Sequence, residues 1–296
     1  MMPNPTHAPL RLGDLTVHRV VEMQEPLFQA RQFFPTLSTE LLDANRSWLQ
    51  PTYLEPGTDK LILAIQSYVI ETKHHKILVD SCVGNDKPRP ARPFWDQQKS
   101  EVWERNLAAT GIGLADIDFV MCTHLHVDHV GWNTRLENGR WVPTFPNARY
   151  LFSNRELAHW TERESKDPST CPWITDSVLP IVAAKRADTV TSAHVLNEHV
   201  RCLPTPGHTI DHFSVQVGRP DADAVITGDM IHSPIQARYP ELVMMADYDQ
   251  AQGVKTRREL FARFAGTPTL ICPAHFPSPS VCRVVRWKDS FDMPMV

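Results

Sequence analysis

Residues 124–129 read His124-Leu125-His126-Val127-Asp128-His129, three histidines and an aspartate in six positions. Imidazole nitrogen and carboxylate oxygen bind zinc at about 2.0–2.2 Å, so a site needs several such groups close together, with one position left open for water. In extended chain, residues two apart point to the same side, which puts His124 and His126 on one face, ready to grip one ion. His129 is out of phase with both, so the chain must turn here. Asp128 and His129 can then serve a second ion beside the first. A pair of ions calls for a bridging group, and a carboxylate suits that role. A solvated polar loop has no reason to concentrate these residue types so tightly.

Asp80, His124, His208, Asp229 and His275 each fall at or just after the C-terminal end of an apolar, strand-like run. A rigid sheet holds groups on such loops in place, which is why α/β folds collect chemistry there. The expected strands are Leu15–Met23, the pair Leu61–Ile70 and Lys76–Asp80 about a polar turn, Ile117–Cys122, Val200–Leu203, Phe213–Val217, Ala224–Thr227 and Thr269–Cys272. Helical spacing marks Asp96–Ala109, stopped by Gly111. Ser153 and Glu156 form a capping-box pattern that opens a helix through about Glu164. Asp249 and Gln252 can cap another, through Phe264 and closed by Gly266. The proline-rich run 86–93 excludes helix interior and central strand and predicts an extended surface loop. No linker-like break divides the chain, so a single domain is expected over residues 1–296, with a two-part sheet core.

With those residues in view, the segment Thr123-His124-Leu125-His126-Val127-Asp128-His129-Val130-Gly131 resembles the signature of the metallo-β-lactamase superfamily. Leu78-Val79-Asp80, Thr205-Pro206-Gly207-His208-Thr209, Thr227-Gly228-Asp229 and Pro273-Ala274-His275 resemble its other motifs, in the family's order. The resemblance implies an αββα sandwich, an α/β fold with a dinuclear metal site at the sheet edge. It implies that His124, His126 and His208 hold one metal, that Asp128, His129 and His275 hold the other, and that Asp229 bridges. Asp80 would orient a ligand histidine from behind. A water shared by two ions becomes hydroxide near neutral pH and attacks a carbonyl or phosphoryl centre, with Asp128 steering its proton. Zinc is the expected metal, with iron, manganese or cobalt compatible with the same donors.

Asp229 stands where the commonest zinc β-lactamases carry cysteine, which points away from β-lactam substrates. Asp80–Lys87, Gly228–His232 and His275-Phe276-Pro277 look most like the methyl parathion hydrolase and N-acyl homoserine lactonase branch. That implies hydrolysis of small carboxylic esters or lactones, with side activity on organophosphate triesters, and a homodimer. His232 lies where related lactonases have a tyrosine that polarises the substrate carbonyl, so it is a catalytic candidate. A structural hydrogen bond is its competing role. His212 looks structural. Phe94, Trp95 and Trp132 are expected near the pocket opening. An N-terminal extension around 24–60 is expected to pack near the pocket or a dimer interface. Trp132 replaces a glycine common in relatives.

The remaining features narrow the field. Net charge is −4 over 296 residues, with no basic patch, which disfavours nuclease action and nucleic-acid partners. No apolar run approaches the ~18 residues of a membrane span. Met1–Leu10 lacks the form of a signal peptide, so a cytoplasmic location is expected. Six cysteines occur without a C-x-x-C pair and read as small buried hydrophobes. His7, His18, His74, His75, His159, His194 and His199 read as ordinary core or surface residues. Gly-x-Ser-x-Gly, His-Glu-x-x-His and phosphate-binding glycine loops are absent. The alternative from another class is a mononuclear iron dioxygenase of the same fold acting on persulfides, against which the complete second-ion set (Asp128, His129, His275) speaks.

Overall fold

The computed structural model describes residues 8–296, so His7 and the start of the Met1–Leu10 stretch lie outside the described residues. The chain forms two compact units, one of residues up to 23 with 65–194, the other of 24–64 with 195–296. Among the described residues, no helix is long and apolar enough to cross a membrane.

The larger sheet has seven strands: β1 (Leu10–Leu12), β2 (Leu15–Gln29), β3 (Lys60–Glu71), β4 (Lys76–Val79), β5 (Phe119–Met121), β6 (Arg149–Ser153) and β7 (Ala187–Val190), lying side by side in that order. β3 and β4 pair antiparallel about a turn in which the Thr72 hydroxyl accepts from the backbone amides of His74 and His75. From β4 to β7 the pairing is parallel, so the loops leaving β4 and β5 emerge at the same edge. Those loops begin at Asp80 and at Cys122, the second reaching His124 two residues on. β-Branched and aromatic residues such as Val20, Val120, Tyr150 and Phe152 fill the first unit's interior.

In the first unit the helix expected from Asp96 begins only at Val102. The Asp96 carboxylate accepts from the Arg89 amide, Gln97 takes a positive φ of 46°, and Gln98 accepts from the Asp86 amide. Local pairing with the proline-rich run therefore outcompetes the first helical turn. That run is irregular, but only in part a surface loop. Its prolines at 88, 90 and 93 are exposed, whereas Lys87 and Arg89 are buried. Arg89 pairs twice with Asp176 at 2.7 and 2.9 Å, and the Lys87 ammonium sits 3.6 Å from the Trp141 ring centre. Burial pulls the Lys87 ammonium down to about 7 despite the neighbouring carboxylate.

The second unit holds a four-stranded sheet, β8 (Val200–Pro204), β9 (Phe213–Val217), β10 (Ala224–Ile226) and β11 (Leu270–Cys272), in chain order. β10 and β11 are parallel, and the helix Gln250–Phe264 lies between them in sequence. The Asp249 side chain caps that helix by accepting from the Gln252 amide. Phe261 and Phe264 pack with Val225, Ile231, Ile271 and Phe276 in one apolar cluster. Residues 24–60 contribute the helix Thr39–Leu49, and Phe33, Phe34, Leu42 and Leu49 join a second cluster with Ile235 and Leu242. All six cysteines are buried and reduced.

Candidate metal centre

In the first unit, Asp80 follows β4 and takes a positive φ of 58°. Aspartate tolerates that region better than most residues, and strain of this kind is kept where geometry matters. Its carboxylate accepts from the Thr123 amide (2.7 Å), the Thr123 hydroxyl (2.9 Å) and His129 Nδ1 (2.9 Å). The Thr123 hydroxyl, having donated to Asp80, has only lone pairs to offer His124 Nδ1 at 3.1 Å. Both His124 and His129 therefore carry their ring proton on Nδ1 and present Nε2 as a lone pair. Their ring centres lie 4.1 Å apart, and those of His124 and His126 lie 4.6 Å apart. Leu125, between them, is held at both ends. Its amide donates to Glu156, and its carbonyl accepts from the Trp173 indole at 2.8 Å. Trp160 also donates to Glu156 and sets its ring edge-on to His126. His126 and Asp128 are the more accessible members of the group.

The helix Asn154–Lys166 opens as predicted on the Ser153 hydroxyl, which accepts from the Glu156 amide. Glu156 does more than cap. It sits fully buried and supports the loop between the first two histidines. A capping-box reading of Ser153 and Glu156 conceals this second use.

In the second unit, His208 follows β8, Asp229 follows β10 and His275 follows β11. His208 Nδ1 donates to Asp247 Oδ1 at 2.8 Å, and His275 Nδ1 donates to the Ala64 carbonyl at 2.9 Å. Both partners are pure acceptors, so in each neutral imidazole Nε2 is a lone pair. Each of those nitrogens lies against the Asp229 carboxylate, at 3.3 Å for His208 and 2.9 Å for His275. Lone pair against carboxylate is repulsive. The arrangement calls for a positive charge among these atoms, which a metal ion would supply. The donor chemistry therefore fits a metal in each unit, and the buried histidine and aspartate clusters are suitable for a dinuclear metal site.

Asp247 was not visible as a site residue in the sequence. It lies among acids in Ala246-Asp247-Tyr248-Asp249, just ahead of a helix. Burial pulls its carboxyl upward, but the hydrogen bond and charge of His208 outweigh that and hold it below the ordinary range. Its other oxygen accepts from the Met244 amide. Arg257 was also missed. From the helix Gln250–Phe264, its guanidinium donates to the carbonyls of Met230, Pro240 and Leu242, tying the chain beside Asp229 to the segment that leads to Asp247. Burial lowers its pKa to about 10.

His212 has both ring nitrogens engaged. Nε2 accepts from the Asp229 amide at 3.0 Å and Nδ1 faces the Thr205 hydroxyl at 2.8 Å, so it positions Asp229 through the backbone. His232 is buried, with Nε2 3.2 Å from Asp229 Oδ2. Its ring stacks on His275 at 5.5 Å and 6° and meets Phe33 edge-on. Burial holds its pKa below the ordinary value despite Asp229.

Trp132 lies in the core of the first unit, 3% exposed, stacked on Trp103 and donating to Glu22. Its ring is committed on a face and at its N–H. Trp95 is buried, and Phe94 is 37% exposed. The Glu22 carboxylate also accepts from the amides of Val83 and Gly84, joining β2 to the loop after Asp80. Burial raises its pKa to about 7, against three donors that favour the ionised form. Gly131 packs so close to this loop that an added Cβ would stand 1.8 Å from the Val83 carbonyl oxygen.

The family model described as the metallo-beta-lactamase superfamily matches residues 62–275 of this chain. No protein of curated function matches it in sequence. Among solved structures, hydrolase AbOPH of the beta lactamase superfamily is similar at 22% identity and TM-score 0.80, over 97% of this chain and 96% of that one. AidC, a dizinc quorum-quenching lactonase in complex with a product, N-hexanoyl-L-homoserine, is similar at 19% identity and TM-score 0.78, over 98% and 97%. An N-acyl homoserine lactone hydrolase with N-hexanoyl-L-homoserine at its catalytic metal centre is similar at 17% and TM-score 0.56, over 82% and 86%. At these identities the likeness shows the fold.

Proposed function

We propose, on the premise that the chain belongs to the metallo-β-lactamase superfamily and has its fold, that it is a dinuclear-metal hydrolase of small carboxylic esters or lactones. The observation that carries the reading is the hydrogen bonding of four histidines through Nδ1. His124, His129, His208 and His275 each spend Nδ1 on a protein partner, which leaves Nε2 of each as a ligand lone pair. The first unit brings His124, His126, Asp128 and His129, and the second brings His208, Asp229 and His275. In this reading Asp229 serves both ions.

When bound, a pair of divalent ions supplies an activated water at neutral pH and an electrophile for the substrate oxygen. The chain's own groups do the rest. Asp80, Thr123, Asp247 and the Ala64 carbonyl hold the imidazoles in one tautomer and orientation. In this reading Asp128, partly accessible, steers the nucleophile's proton. His232, kept neutral by burial, is the catalytic candidate for polarising the substrate carbonyl. That the AidC and N-acyl homoserine lactone hydrolase structures hold an opened lactone product supports a small-molecule ester or lactone as substrate.

Metal analysis joined to a panel of lactones, aryl esters and organophosphate triesters tests the proposal. Two divalent ions per chain with turnover of a lactone or ester is the expected result. One iron per chain with oxygen uptake on a persulfide would overturn it in favour of the dioxygenase.

A further inference from the structure

His232 faces the Asp229 carboxylate, and none of the ligand assignments above uses it. Its donor atom and those of Asp229 and His275 lie within 4.8 Å of one another, and all three residues are buried in the second unit. We infer that Asp229, His232 and His275 form a self-contained seat for a single divalent ion, a two-histidine, one-carboxylate set that exists without any residue of the first unit.

Three features carry this. The first is spacing. Donors that share one tetrahedral ion at bonds of about 2.0 Å lie roughly 3.3 Å apart. Asp229 Oδ2 is 3.2 Å from His232 Nε2 and Asp229 Oδ1 is 2.9 Å from His275 Nε2. The second is stacking. The rings of His232 and His275 are parallel within 6° with their centres 5.5 Å apart, beside the same carboxylate.

The third is the freedom of the His232 proton. His212, nearby, has both nitrogens tied, so it is not available as a ligand. His232 Nδ1 has no hydrogen-bond partner among the described residues. Moving the ring proton from Nε2 to Nδ1 therefore breaks only the contact with Asp229 that an ion would replace. Two imidazoles and a carboxylate leave open coordination positions, the donor pattern that suits Fe2+, Co2+ or Zn2+. At one ion per chain this seat competes with the shared centre for Asp229 and His275. The second ion's arrival would draw both residues back to the shared centre and release His232. The inference rests on the metal-binding reading of Asp229 and His275, and not on any substrate.

Cobalt is the probe. In a chain carrying His124→Ala, His126→Ala and His129→Ala together, equilibrium dialysis against Co2+ should find one ion per chain. Adding His232→Ala should weaken that binding by tenfold or more. No Co2+ bound by the triple variant, or binding that His232→Ala leaves unchanged, would overturn the inference. If circular dichroism shows the triple variant unfolded, the unmutated ligand set decides. The visible spectrum at one equivalent of Co2+ should then change with His232→Ala, while the spectrum at two equivalents should not. An unaltered first-equivalent spectrum also overturns it. Wild-type stoichiometry and lactone turnover, measured alongside, separate failure of this seat from failure of the two-metal hydrolase.

Discussion

Replacing Asp247 by asparagine tests the proposed centre at a residue that need not touch metal or substrate. His208 Nδ1 donates to Asp247 Oδ1 at 2.8 Å, and the two side chains are each 2% exposed. A buried hydrogen bond to a charged group contributes about 1.5–3 kcal/mol. Each ~1.4 kcal/mol is a factor of ten in affinity, so losing the charge should weaken metal binding roughly 10–100-fold. Outer partners of ligand histidines cost about the same range when removed. Asparagine has a second handicap, because both Asp247 oxygens accept, one from His208 and one from the Met244 amide. Either orientation of the amide sets an NH2 group against a donor. Competition with a chromophoric chelator gives the zinc affinity, and thermal denaturation of the metal-free variant controls for folding. A folded Asp247→Asn protein that binds zinc within twofold of wild type would refute the argument that His208 is held as a ligand by Asp247.

Other perturbations separate support from chemistry. Glu22 titrates at about 7 in the folded chain against an ordinary 4.5, so the folded state holds its proton more tightly. Its contribution is fully present below the unfolded value and is lost as pH rises through the folded one, on the order of 3 kcal/mol. In metal-free protein, Glu22→Gln should therefore flatten the fall in stability between pH 5 and 8, read by denaturant midpoints; an unchanged slope would count against it. Gly131→Ala should destabilise by upwards of about 3 kcal/mol, because the new methyl meets backbone rather than a yielding side chain. Its urea midpoint should fall well below that of Gly139→Ala, which has open space around it. Removing metal with a chelator should lower the melting temperature, and restoring zinc at about a hundred times its dissociation constant should return about 2.7 kcal/mol. Equal stability with and without zinc would speak against folded-state ligation.

The candidate donors were legible because their residue types are rare in combination and their strand-end positions follow from apolar runs. β3, β4 and β9 and the caps at Ser153 and Asp249 were legible for the same reason, since local pattern and local structure agree there. The helix start at Val102 was not, because Asp96–Gln98 pair with a loop about ten residues earlier. Lys87 and Arg89 looked like solvated loop charges, and only Asp176, nearly ninety residues on, explains their burial. Asp247, Arg257 and Glu22 are ordinary residues in sequence. Their roles come from what the fold brings to them, and no spacing rule within one segment encodes that. Trp132 shows the opposite difficulty. Adjacency to the histidine motif suggests a pocket wall, yet its indole is consumed by Trp103 and Glu22.

Much of what steadies this centre is main chain. His275 leans on the carbonyl of Ala64, Arg257 grips the carbonyls of Met230, Pro240 and Leu242, and the His208 carbonyl accepts from the Tyr248 amide. Every amino acid except proline offers the same amide, and all offer the same carbonyl. At those positions the hydrogen bond is indifferent to the side chain, and packing alone limits the choice, because Ala64, Met230 and Leu242 are buried. Mutational drift can therefore exchange Met230 or Leu242 for another apolar residue of similar volume without loosening the candidate donors they support, whereas Asp80, Asp247 and Arg257 have no such latitude. A library randomising these two groups of positions should return two different distributions of survivors, apolar but varied for the first and nearly invariant for the second.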